Sequence, residues 1–205
     1  MSSYILALLI ACVHILIIIE DMRSKFMANY TIVMDAGHGG SDFGATYNGR
    51  REKDDTLALT LAVGNILQNA GINVVYTRTE DVYETPYRKA QEGNLAGADY
   101  FISIHRNSSP YPNTYSGVES LVYSKGGVAE IMAENIDRQL SYLGFRNIGV
   151  SERPNLIVLN STQMPAVLVE VGFLNTDKDN ALFDLEFEAI AEAIAFGILE
   201  TIGIV

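Results

Sequence analysis

Residues 33–40 read VMDAGHGG. Strand-forming residues run into an acid, and a histidine then sits among Gly37, Gly39 and Gly40. Glycine costs backbone entropy and is placed where the chain turns with positive φ or comes close to another group. A strand that ends this way presents His38 at its C-terminal end, with the backbone free to approach whatever His38 approaches.

Outward from this loop the pattern alternates. Residues 30–35 are strand-like. Residues 54–69 are helical, with Leu57, Leu61 and Ile66 among the apolar positions and Gly71 just past the end. Residues 73–77 (NVVYT) form a strand, and residues 86–95 form a helix with Pro86 in its first turn. Residues 100–104 (YFISI) make a buried strand and residues 118–123 another. Residues 128–143 are an amphipathic helix with Val128, Ile131, Met132, Ile136 and Leu140 on one face, closed by Gly144. Residues 156–159 and 166–171 read as short apolar strands, and residues 185–199 as a final helix rich in Ala and Ile. Alternating strands and helices, with strands apolar on both faces, predict an α/β fold. Its sheet is open, mixed but mostly parallel, and six-stranded, with helices on both faces.

In such sheets ligands bind beyond the C-terminal ends of the strands. The first strand runs into His38, and the third runs into His105 in SIHRN. The last carries Glu170 in VLVEVGF, and Glu52 lies just before the first helix on the same rim. Two imidazoles and a carboxylate form a common ligand set for a hydrolytic zinc, which keeps a position for water. A further carboxylate then serves as general base. His38, Glu52 and His105 fit as ligands and Glu170 as base. The simpler reading of each residue alone is a hydrogen-bonded loop histidine or a favourable charge at a helix N-terminus. Glu170 resists it, because an unpaired carboxylate among Val and Leu is costly and burial raises its pKa.

Composition narrows the function classes. The chain has 205 residues, of which 48% are hydrophobic, enough for one domain with a sizeable core. A net charge of −11 argues against nucleic acid as partner and gives no electrostatic help on an anionic surface. The single cysteine, Cys12, allows no intrachain disulfide, zinc finger or cysteine nucleophile. Oligomeric state leaves no mark in the sequence.

Residues 4–19 (YILALLIACVHILIII) carry no Asp, Glu, Lys or Arg. As a helix they would span about 24 Å, slightly short of a bilayer core of about 30 Å. No Lys or Arg precedes the run, no small-x-small site follows it, and Arg23 and Lys25 lie after it. Residues 1–27 are therefore read as a membrane anchor, an atypical signal, or sequence upstream of a true start at Met27, with one domain over residues 28–205. Membrane contact would come through residues 4–19. By the positive-inside rule Arg23 and Lys25 would hold the C-terminal side of the run in the cytoplasm. His14 reads as incidental.

The blocks IVMDAGHGGSDFGA, REKDDTLALTLA, VVYTRTED, YRKAQEGNLAGADYFISIHRNSS, SGVESLVYS and PAVLVEVGFLNTDKDNALF occur in that order. Together they resemble the zinc-dependent N-acetylmuramoyl-L-alanine amidases over residues 29–201. That resemblance implies a single Zn²⁺ bound by His38, Glu52 and His105, Glu170 as catalytic glutamate, peptidoglycan as substrate, and an extracytoplasmic site of action at the cell wall, reached by a membrane anchor or by release on lysis if the chain starts at Met27. The bond cut would be the amide between the lactyl group of N-acetylmuramic acid and the L-alanine of the stem peptide. Asp35 is a candidate acceptor for the second ring N–H of a ligand histidine, or a loop cap. Asn107 is a candidate substrate contact. Arg78 and Arg88 read as ion-pair formers or substrate clamps, Arg106 as solvent-facing, and Tyr111 and Tyr115 as groove aromatics. Some relatives insert a helix that plugs the site, and the short connection between Ser108 and Val128 predicts an open one. Two further readings stay open: a zinc peptidase, and a wall-binding module without catalysis.

Overall fold

The computed structural model describes residues 13–15 and 30–205. In chain order the elements are β1 (Thr31–Ala36), the short strands β2 (Thr46–Tyr47) and β3 (Arg50–Arg51), α1 (Glu52–Asn69), β4 (Asn73–Tyr76) and α2 (Pro86–Ala96). There follow β5 (Tyr100–Asn107), β6 (Val118–Val122), α3 (Val128–Tyr142), β7 (Asn147–Glu152), α4 (Ile157–Asn160), β8 (Ala166–Phe173), α5 (Asp177–Leu185) and α6 (Phe187–Thr201). The main sheet is six-stranded in the order β4-β1-β5-β8-β6-β7. The first four of these run parallel, β6 is antiparallel to β8, and β7 is parallel to β6. The mixed, mostly parallel sheet expected from the pattern is the one found.

Side chains alternate across each strand, so each face builds its own core. Ile32, Met34, Ile102, Ile104, Val167 and Val169 pack against Leu59 and Val63 of α1, Met132 and Ile136 of α3, and Ile190 and Ile194 of α6. On the other face Val33, Phe101, Leu121 and Leu168 are covered by Ala98, Val158 and Leu159. This second cluster is the smaller, and the same face carries Asp35, Ser103 and the site residues at the C-terminal edge.

Several boundaries differ from the sequence reading. Residues 156–159 are not a strand: α4 occupies Ile157–Asn160, and the sixth strand is β7. The C-terminal region holds two helices that meet at Glu186. Helix α1 begins at Glu52 itself rather than after it. Of the apolar run at residues 4–19, only residues 13–15 are described, and they are helical. The rest of the run, with Cys12, Arg23 and Lys25, lies outside the described residues. Among the described residues no helix is long and apolar enough to cross a membrane.

One buried acid in α3 gives the fold a pH dependence. Asp137 Oδ1 accepts a hydrogen bond from Ser120 Oγ at 2.6 Å, while its Oδ2 is buried without a partner. Burial pushes its carboxyl up from 3.8 to about 7. The native state therefore holds this proton more tightly than the unfolded chain. The penalty is absent below the unfolded value, grows as pH rises through the interval between the two, and is complete above the folded value. Asp137→Asn is expected to stabilise the protein at pH 8 by on the order of 2–4 kcal/mol, and hardly at all at pH 4. Denaturant midpoints at the two pH values check this; a gain independent of pH would contradict it.

Candidate metal centre

Strand β1 ends at Ala36, and the glycine loop carries His38 over the edge of the sheet. His38 has φ 61°, a conformation that is rare for a residue with a Cβ and tends to occur at functional sites. The neighbouring glycines are required by close approach. A Cβ on Gly37 would lie 2.5–2.7 Å from three atoms of the His105 ring. A Cβ on Gly44 would lie 2.5 Å from both Glu52 Oε2 and His38 Cδ2.

Buried cations hold the loop from behind. Arg78 donates to the carbonyls of Ala36 (3.1 Å) and Gly37 (2.9 Å). Lys89 Nζ donates to Ala36 O (2.6 Å) and His38 O (3.3 Å), and Lys53 Nζ to Gly40 O (2.8 Å). All three side chains are buried, and each uses its charge to gather loop carbonyls that a strand or helix would otherwise have paired.

Glu52 opens α1 and is buried. Its Oε1 lies 2.9 Å from His105 Nδ1 and 3.1 Å from His38 Nε2, and accepts the Arg106 backbone N–H at 3.1 Å. Its Oε2 accepts the Ala45 N–H at 2.8 Å. Burial alone would raise this carboxyl, but the hydrogen bonds from His105 and His38 outweigh it and hold Glu52 well below the usual carboxylate range. Burial likewise opposes a charged His38, and its bonds to Glu52 and Asp42 overcome that, raising it to about 9. His38, Glu52 and His105 each offer a ligand atom, all within 4.8 Å of one another. Two imidazole nitrogens and a carboxylate oxygen gathered so closely can hold a zinc ion with a coordination position left open.

Glu170 lies beside this cluster. In β8 it is the register partner of His105 on β5 and of Glu119 on β6. Its Oε2 is buried without a hydrogen-bond partner. Burial pushes the carboxyl up to about 7; the Glu52 and Glu119 charges push the same way, and His105 and His38 oppose it. The four residues border a groove of about 370 Å³ that also exposes Asn107, Ser108, Leu121, Arg153, Leu156 and Leu168. No helix lies between β5 and β6 to cover it. A second cavity of similar size, about 380 Å³ at the start of α3, contains neither imidazole nor carboxylate.

The remaining candidates separate. Asp35 is not bonded to a ring nitrogen: it accepts from Thr77 Oγ1 (2.6 Å) and pairs with Lys89 Nζ (3.0 Å), with Ser103 Oγ its third partner. The carboxylate that orients His38 is Asp42, whose Oδ2 lies 2.9 Å from Nδ1 and leaves Nε2 facing Glu52. Asn107 lines the groove. Arg78 braces the loop, and the exposed Arg88 pairs with Glu84 and Glu92 and is not among the groove-lining residues. Arg106 does not face solvent. It is buried, with Nη1 2.6 Å from Asp55 Oδ2, Nη2 2.8 Å from Asn180 Oδ1, and its guanidinium over the Phe183 ring. Tyr115 stacks on Phe173, Tyr111 is exposed, and neither is among the groove-lining residues.

Residues 32–200 match the family model described as N-acetylmuramoyl-L-alanine amidase. The chain belongs to the N-acetylmuramoyl-L-alanine amidase family. It is 38% identical over 173 residues to the N-acetylmuramoyl-L-alanine amidase CwlM of Bacillus licheniformis, covering 81% of this chain and 64% of that protein. It is 34% identical over 178 residues to the endolysin of Bacillus phage SPP1, covering 83% of this chain and 65% of that one. The chain thus spans a little under two thirds of the length of these two relatives. Among solved structures, the N-acetylmuramoyl-L-alanine amidase from Clostridium difficile 630 superposes with a TM-score of 0.78 at 33% identity, covering 83% of this chain and 95% of that one.

Proposed function

We propose that this amidase-family chain hydrolyses the amide between the lactyl group of N-acetylmuramic acid and the L-alanine of the peptidoglycan stem peptide, with a single Zn²⁺ held by His38, Glu52 and His105. The observation that carries the reading is the gathering of these three donors beside the unpartnered carboxylate of Glu170, in a groove open at the sheet edge. When bound, the zinc supplies Lewis acidity toward the carbonyl under attack and lowers the pKa of a water to about 7.

The chain's own residues do the rest. Glu170, raised to about 7, accepts a proton from the attacking water and passes it to the nitrogen of L-alanine as the C–N bond breaks. A C–O bond forms in its place, and the products are a lactyl carboxylate and a free amine. Asp42 fixes the His38 ring, and the N–H groups of Arg106 and Ala45 fix both oxygens of Glu52. The open groove accepts a polymeric substrate without prior release of a plug. The place of action is the cell wall, and with a net charge of −11 the protein must hold that anionic polymer by specific contacts.

Product masses from digested peptidoglycan test this reading. Stem peptides beginning with a free L-alanine amine are expected. Cuts inside the stem would move the chemistry to a peptidase. Wall binding with no new amines would make the chain a binding module.

A further inference from the structure

The groove runs from the metal centre along the sheet face toward Leu156 and carries one exposed cation among its lining residues. Besides the metal-centre residues, Asn107 and Ser108 give the groove neutral polar groups, and Leu121, Leu156 and Leu168 give it an apolar wall. Glu170 and Glu119 are register partners, and two residues further along the same strands Leu168 and Leu121 are partners as well. Arg153 follows β7, and its backbone is fixed by bonds independent of its side chain: its N–H donates to Val122 O at 2.8 Å, and its carbonyl accepts from Leu156 N at 3.1 Å. The side chain is 51% exposed, and Nη1 donates to Glu152 O at 2.9 Å. Nη2 stands 3.8 Å from Glu119 Oε1, which is too long for a hydrogen bond. A guanidinium has five donors, and that one bond to Glu152 is the only hydrogen bond its side chain makes among the described residues. Arg106, the other cation lining the groove, is 1% exposed and committed to Asp55 and Asn180.

We infer that Arg153 selects a free carboxylate on the substrate's peptide, one or two residues beyond the amide that is cut. The inference rests on the groove being the substrate site proposed above. Neighbouring strands lie about 4.8 Å apart, and Nη2 stands 3.8 Å from the side chain of Glu119, the register partner of Glu170, so the guanidinium lies within a few residue-lengths of the Glu170 position. That is the reach of one or two residues of extended peptide. The leucines give it an apolar floor, and the planar, underused guanidinium gives a carboxylate a two-pronged partner. In a protein of net charge −11, an anionic substrate needs such a local cation. Glu119 keeps the guanidinium over the groove without consuming its donors.

The test compares two soluble muramoyl-peptides that differ only in a carboxylate or a carboxamide at that position. They are assayed with the zinc-loaded full chain and its Arg153→Gln and Arg153→Lys variants. The wild type is expected to prefer the carboxylate about 10–100-fold in kcat/KM, through KM, as a charged hydrogen-bonded pair supplies. Arg153→Gln erases the preference by raising KM for the carboxylate peptide, and Arg153→Lys keeps part of it. Equal rates on both peptides in the wild type, a preference that survives Arg153→Gln, or an equal fall in kcat on both would overturn the inference. Product masses separate the two claims. A cut inside the peptide ends the amidase reading, while the carboxylate ratio still judges Arg153. Hydrolysis of neither peptide by the wild type overturns both.

Discussion

Glu170→Ala is expected to lower turnover by about 10²–10⁴-fold, the usual contribution of a positioned general base, while zinc stays bound with unchanged affinity. The separation follows from geometry. Glu170 is on β8, while the three candidate donors come from the loop after β1, the start of α1, and β5. Its Oε2 makes no hydrogen bond, so truncation leaves no donor orphaned. Burial already disfavours its charge, so the thermal midpoint of the variant should not fall at pH 8. Activity assays, zinc content and thermal melts on one preparation check all three expectations. An active Glu170→Ala enzyme would remove the general-base role, and a variant that loses zinc would make Glu170 a ligand.

His105→Ala is expected to lose both metal and activity. A hydrogen-bonding partner outside the ligand set typically changes metal affinity by about 10–100-fold, and loss of a ligand itself should exceed that. His105 also contacts Glu52: its Nδ1 lies 2.9 Å from Oε1, so removing the ring deletes a donor and takes away one of the contacts that hold the carboxylate, leaving those from Arg106 N, Ala45 N and His38. Zinc content after dialysis, compared with the Glu170→Ala protein, gives the answer. Retention of zinc by His105→Ala would contradict the assignment.

The gathering of the candidate residues was legible because it obeys the edge rule for open α/β sheets: residues toward the ends of β1, β5 and β8 converge however far apart they lie in sequence. Asp42 was missed because a loop acid four residues after a histidine carries no periodic signal; the loop's positive φ values bring it round to Nδ1. The burial of Arg106 was available in principle. It shares a face of β5 with Ile102 and Ile104, which directs it under the sheet toward Asp55 and Phe183 rather than outward. The structural role of Asp35 depends on Lys89, a buried cation on α2 that no local pattern reveals.

The fold's misread segments have physical causes too. NIGVSE, the β7 strand, is a half-polar edge strand with a positive-φ glycine at Gly149, so it lacks the apolar run of a central strand. Residues 156–159 are apolar but short, and a run of that length does not separate a strand from a turn of helix. Tertiary packing decides it, with Val158 and Leu159 capping the smaller core cluster.

The most direct measurement is mass spectrometry of peptidoglycan digested by the protein after chelation and again after zinc is restored. The account predicts stem peptides with a free L-alanine amine that vanish on chelation and return with zinc. Undiminished release of those peptides in the chelated sample would contradict it.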